Sequence, residues 1–218
     1  MSHVILLGDS IFDNAAYVRG PDVVAQLRDA LPRDWRATLL AVDGAVTSSV
    51  LRQLERIPED ATHLVLSVGG NDALGHVSLL ERRASSGGEV LGWFAGATEE
   101  FATRYRALLA RIAVTTRDEQ RVTVCTVYNG NLGGAMQRPA TAAISMFNDT
   151  ITRAARERGW PVMELRDLFT DAADYANPIE PSVRGGAKLA RAIAEQVLSG
   201  RALAPPTSIN APGRTASA

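Results

Sequence analysis

The sequence predicts an α/β domain built on a parallel sheet with helices covering both faces. Three observations point there. Segments of strand character alternate with segments of helical periodicity along most of the 218 residues. The strand segments are near-continuous apolar runs, as strands buried on both faces require. The first three end in short polar stretches containing glycine, and such folds form their ligand crevice at the carboxyl ends of the strands.

Taken in order, His3–Leu7 is a short apolar strand ending at Gly8. Pro21–Leu31 carries Val23, Val24, Leu27 and Leu31 at helical spacing, with the proline near the first turn. Ala37–Val42 is a second strand, ending at Asp43-Gly44, and Thr47–Arg56 a short helix. His63–Val68 is a third strand, closed by Gly69-Gly70-Asn71-Asp72. Ser85–Gly96 contains glycines with Trp93 and Phe94, and reads either as a mobile apolar lid or as the lead-in to a helix running from Ala97 to Val114. Arg121–Tyr128 is a fourth strand, Gly130–Gly134 a loop, Ala140–Arg158 an amphipathic helix, Pro161–Leu165 a fifth strand and Val183–Leu198 the last helix. Residues 1–200 thus form one domain. From Arg201 the chain is Pro, Ser, Thr, Ala and Gly with almost no large apolar residues, the composition of a disordered tail.

Composition narrows the function classes. A 46% hydrophobic, 22% charged chain is globular rather than disordered. Its 23 basic residues against 24 acidic ones leave no basic excess for nucleic acid or an anionic membrane. The lone Cys125 and the scattered His3, His63 and His76 offer neither disulfide framework nor metal-ligand spacing. No apolar run approaches the roughly 20 residues of a membrane span. The N-terminus has no basic region before its first strand, so a cytoplasmic location is expected, with no metal or organic cofactor.

Chemistry is sought at the strand ends. Gly8-Asp9-Ser10 contains no P-loop Gly-Lys-Ser/Thr and no dinucleotide fingerprint, and it lacks the hydroxyl-rich cradle of a flavin phosphate. Read by itself it is also an ordinary strand-to-helix turn with a capping side chain. Gly44 lets an oxygen approach the backbone N–H closely. Asn71 offers an amide donor to a developing oxyanion. In this order, Gly-Asp-Ser after strand one, Gly44 after strand two and Gly-Gly-Asn-Asp after strand three, the chain resembles the SGNH (GDSL-type) hydrolase family over residues 3–199. The resemblance implies a flavodoxin-like three-layer sandwich on a five-stranded parallel sheet, and esterase, lipase or deacylase chemistry on a lipid, glycan or small-molecule ester. It makes Ser10 the nucleophile, and the Ser10 N–H, the Gly44 N–H and the Asn71 amide the oxyanion hole. Donors of that kind are worth about 2.7–4 kcal/mol each.

One block departs from the family pattern. Where Asp, two residues and His are expected before the last helix, the chain has Asn177-Pro178-Ile179-Glu180. A serine hydroxyl needs a base, and a free glutamate, near pKa ~4.3, is about two units weaker than histidine. Burial in an apolar crevice raises it, and Asn177, an uncharged amide, can orient it without repelling it. Three assignments therefore stand open: Glu180 as base, His76 as base, or a ligand-binding protein with a poorly activated serine. Asp9 and Asp72 are expected to hold loops through backbone N–H groups. Asp13 and Asn14, soon after Ser10, either line the pocket or cap a helix, and Tyr128 and Asn129 sit at the crevice edge. Asp167, Asp171, Asp174 and Arg184 lie near the last block, as potential partners of Glu180, a metal or an anion.

Overall fold

The computed structural model describes residues 2–117 and 120–199. Five parallel strands, β1 (Ser2–Gly8), β2 (Trp35–Leu39), β3 (His63–Ser67), β4 (Arg121–Cys125) and β5 (Val162–Met163), form one sheet in the order β2-β1-β3-β4-β5. That is the flavodoxin-like order. The chain leaves β1 toward one edge and leaves β3 toward the other, so the crevice opens above the β1–β3 pair. There Gly8 is level with Ser67. Only glycine fits: its φ is +136°, and a Cβ would lie 1.7 Å from the Ser67 carbonyl oxygen.

The alternation of β1 side chains sorts the core into two layers. Ile5 and Leu7 point to one face, where Phe101, Tyr105 and Leu108 of α4 (Gly87–Thr115) and Phe147 and Ile151 of α5 (Gln137–Arg156) cover them. Val4 and Leu6 point to the other, under Val23 and Leu27 of α1 (Val23–Ala30) and Leu189 and Ile193 of α6 (Val183–Leu198). Two short helices, α2 (Val50–Leu54) and α3 (Gly70–Leu74), follow β2 and β3. The helix ends obey capping chemistry: Asp22 accepts the Ala25 N–H for α1, Ser86 the Glu89 N–H for α4 and Ser182 the Gly185 N–H for α6.

The last helix spans the residues expected. Elsewhere boundaries differ for physical reasons. The helix expected from Ala97 begins ten residues earlier, at Gly87, so Ser85–Gly96 is mostly helix rather than a lid; four weak helix formers, Gly87, Gly88, Gly92 and Gly96, hide it. The fourth strand stops at Cys125, because Val127 is clasped by a side chain instead: Asn148 Oδ1 accepts its N–H and Nδ2 donates to its carbonyl, both at 2.7 Å. The first helix, expected over Pro21–Leu31, spans Val23–Ala30, with Asp22 as its cap and Pro21 just before it. The expected second helix starts as a 3₁₀ turn over Thr47–Ser49, and the Gly70–Leu74 turn of helix was expected as loop. The fifth strand pairs through two residues only. The proposed tail, 201–218, lies outside the described residues.

Candidate active site

Ser10 follows β1 on a tight turn in which the Phe12 and Asp13 N–H groups donate to the Asp9 carbonyl at 3.1 and 3.2 Å. Ile11 and Phe12 anchor that turn in the α1/α6 layer. From below, Gln53 of α2 clamps the glycine ahead of it. Its Oε1 accepts the Gly8 N–H and its Nε2 donates to the Gly8 carbonyl, both at 2.8 Å. Sequence reasoning missed Gln53; the available signal was a polar residue on the buried stripe of a short helix.

The Ser10 hydroxyl donates to Glu180 Oε1 at 3.1 Å across 170 residues of chain. Glu180 is 4% exposed, and its other oxygen, Oε2, is buried without a partner. Its loop is held from every side. The Ala176 N–H donates to the Glu180 carbonyl at 2.8 Å and the Asn131 N–H to the Pro178 carbonyl at 2.7 Å. The Tyr128 hydroxyl donates to the Ile179 carbonyl, while its ring stacks on Phe169. Asn14, fully buried, donates to the Pro181 carbonyl at 3.2 Å and accepts the Val23 N–H at 3.0 Å, joining the serine loop to the glutamate loop.

Burial pushes the Glu180 carboxyl up to about 7, the Asp43 charge adding to the rise and the Ser10 hydrogen bond opposing it. Burial likewise pushes Asp9 to about 7, against the pull of the Ile11 N–H and with help from the charges of Glu180, Asp72 and Asp43. Asn177 makes no hydrogen bond to the Glu180 carboxylate, contrary to the expectation that its amide orients that group. Its Oδ1 accepts the N–H groups of Ile179 and Glu180, both at 2.9 Å, an Asx turn that fixes the backbone carrying the glutamate.

Asn71 and Asp72 of α3 grip the loop after β2. Asn71 Nδ2 donates to the Ala45 carbonyl at 3.0 Å, and Asp72 Oδ2 accepts the Thr47 N–H at 2.9 Å and the Thr47 hydroxyl at 3.0 Å. In that loop Gly44 has φ +74° and open space around it. Ser10, Asn71, His76 and Glu180 line one cavity of about 130 Å³; Gly44 does not. The cavity runs from Ser10 toward an apolar end formed by Phe94, Val127, Ile144 and Phe147. The His76 ring tilts against Phe147, while the Ser10 hydrogen bond goes to Glu180.

Other candidates belong elsewhere. Asp174 is buried and bonds Lys188 Nζ at 2.6 Å rather than Glu180; burial would raise its pKa, but the Lys188 and backbone hydrogen bonds outweigh this and hold it low. Arg184 pairs with Asp171 at 3.1 Å and Asp174 at 3.3 Å. Asp167 ends a 3₁₀ turn. Cys125 is buried and its thiol is pushed up by that burial. Among the described residues no three His, Cys, Asp or Glu side chains converge to hold a metal, and no helix is long and apolar enough to cross a membrane.

Comparison with known proteins agrees with this fold. An extracellular lipase from Streptomyces rimosus superposes with a TM-score of 0.67 at 18% identity, over 90% of this chain and 99% of that one. A phospholipase A1 from Streptomyces albidoflavus gives 0.67 at 17% identity, covering 92% and 99%. An aryl esterase from M. smegmatis gives 0.66 at 12% identity, covering 91% and 99%. At such identities the likeness is one of fold. No curated protein matches the sequence. The family model for GDSL-like lipases and acylhydrolases matches residues 6–187. With its five-stranded sheet and its Gly-Asp-Ser turn at the switch point, the chain belongs to the GDSL-like lipase/acylhydrolase family.

Proposed function

We propose that the protein hydrolyses acyl esters through Ser10, with Glu180 as general base. Family membership supports acyl-ester hydrolysis in general. The observation that carries the finer reading is the 3.1 Å hydrogen bond from the Ser10 hydroxyl to a buried carboxyl whose pKa stands near 7. A base is most effective near the operating pH.

Ser10 Oγ attacks the ester carbonyl while its proton passes to Glu180 Oε1. The Ser10 N–H and the second proton of Asn71 Nδ2 receive the oxyanion; the first, held on Ala45, sets the amide plane. The neutral Glu180 carboxyl then gives its proton to the departing alkoxide, leaving an acyl-serine. Water, giving a proton to Glu180, attacks the acyl carbon, and Glu180 returns that proton to Ser10 Oγ as the C–O bond to the serine breaks and the acid leaves. Charge explains why this base manages without an orienting acid. A histidine becomes a cation when it takes the proton and gains from an anionic partner. A carboxylate becomes neutral, and the single negative charge moves to the oxyanion hole. The apolar end at Phe94, Ile144 and Phe147 takes the acyl group.

Hydrolysis of p-nitrophenyl butyrate tests this reading. Ser10→Ala is expected to abolish turnover, and Glu180→Gln to lower kcat/KM by about 10²–10⁴. Wild-type rates in Ser10→Ala contradict the nucleophile. Wild-type rates in Glu180→Gln, with loss in His76→Ala, reassign the base.

A further inference from the structure

The Ser10 cavity carries a polar side chain that the hydrolytic chemistry leaves unused. Asn129 follows β4 and lines the cavity together with Ser10 and Glu180. Its Oδ1 is buried and accepts no hydrogen bond. Among the described residues, Glu180 Oε2 is the one other buried side-chain oxygen on the cavity wall without a donor. The loops that carry the two oxygens are fastened together. On one side of Asn129, the Tyr128 hydroxyl donates to the Ile179 carbonyl. On the other, the Asn131 N–H donates to the Pro178 carbonyl at 2.7 Å, and a Cβ on Gly130 would lie 3.0 Å from that same oxygen. The Asn129 amide therefore opens into the cavity alongside the Glu180 carboxyl. Buried acceptors without donors cost free energy, which a ligand bearing donors removes when it binds.

We propose that Asn129 selects the alcohol portion of the substrate by binding hydroxyl groups next to the ester oxygen, so that the substrate is an ester of a small polyol. The inference rests on the Ser10–Glu180 reading. Glu180 hands its proton to the leaving oxygen, so the alcohol portion lies on the Glu180 side of the acyl carbon, where Asn129 is fastened. The apolar end at Phe94, Ile144 and Phe147 is left to the acyl chain. A pair of neighbouring hydroxyls matches the amide. One donates to Asn129 Oδ1, and the other accepts from Nδ2 and keeps its own proton for Glu180 Oε2. A protonated amine has no lone pair for Nδ2, and an ether has no proton for Oδ1.

The test follows the ratio of kcat/KM for glycerol monobutyrate to that for 2-methylbutyl butyrate, which has methyl groups in place of both free hydroxyls. Taking the ratio within one protein cancels any effect common to the two esters. In Asn129→Leu, which keeps the shape and removes the amide's polar atoms, the ratio is expected to fall by about tenfold. Asn129→Ala replaces this variant if it folds poorly. A methyl glucoside butyrylated at its primary hydroxyl, measured against cyclohexylmethyl butyrate, separates a sugar from a glycerol source. A fall with either polyol supports the proposal and names the alcohol; a fall with neither overturns it. A fall confined to p-nitrophenyl 3-hydroxybutyrate, measured against p-nitrophenyl butyrate, places Asn129 beside the acyl chain and also overturns it. If the wild type hydrolyses none of these esters, the hydrolytic reading fails, and calorimetric titration with the butyl ether of glycerol decides the site by itself. Saturable binding that weakens in Asn129→Leu supports it, and no binding, or equal binding by both proteins, overturns it.

Discussion

A carboxylate replaces an imidazole only where its surroundings raise its affinity for a proton, and at Glu180 burial supplies most of that rise. The same shift has a cost in stability. A carboxyl that titrates near 7 when folded and near ~4.3 when unfolded binds more protons in the folded state between those values. Stability contributed by this group is therefore present in acid and is lost as pH rises from about 4 to about 7. At pH 8 the full penalty applies, on the order of 3–4 kcal/mol. Glu180→Gln keeps an acceptor for the Ser10 hydroxyl and removes the charge. It is expected to raise Tm by roughly 5 °C at pH 8 and by little at pH 4, read by thermal melts at both values. An equal shift at both pH values would mean that packing, not charge, sets the difference. Ser10, Asn71 and Glu180 were singled out in the sequence by their places at strand ends or just before the last helix and by the family resemblance. Gln53, the tie from Asn14 to the Pro181 carbonyl and the Asx role of Asn177 were not, since each acts through backbone groups distant in sequence or hidden in a turn.

At the scale of elements, α4 separates local propensity from tertiary packing. Its first turns carry glycines that a sequence reading takes for a loop, yet Phe94 and Ala97 are buried against the core and hold the segment helical. Gly92 and Gly96 are exposed, and a Cβ on either would meet nothing within 4 Å. Gly92→Ala/Gly96→Ala is therefore expected to stabilise the protein by about 0.4–1 kcal/mol per site, measured by urea unfolding. A mobile lid over Ser85–Gly96 would gain nothing from the change, or would lose stability. The fourth strand illustrates the reverse error. Its apolar run continues past Cys125, but Asn148 takes the Val127 backbone groups that a neighbouring strand would otherwise have used. Periodicity records which residues are apolar, not which partner their backbone finds.

At the scale of the molecule, strand order does what no single motif can. The β2-β1-β3-β4-β5 arrangement sends the chain in opposite directions from β1 and β3. Loops from both halves then meet over Ser10, with the apolar end of the cavity on the α4/α5 side. The alternation of strands and helices made this architecture legible from sequence. The pairing of Ser10 with Glu180 stood in the sequence as one of three open assignments, because it depends on how the loop before α6 is tied to Asn14, Tyr128 and Asn131. The convergence is tested most directly by the rate at which a fluorophosphonate labels Ser10, followed by mass spectrometry from pH 5 to 9. The wild type should label at Ser10, with a rate that climbs as Glu180 ionises near pH 7; in Glu180→Gln the reaction should slow by about a hundredfold or more and lose that limb. Labelling at another residue, or an unchanged pH limb in Glu180→Gln, would contradict the account.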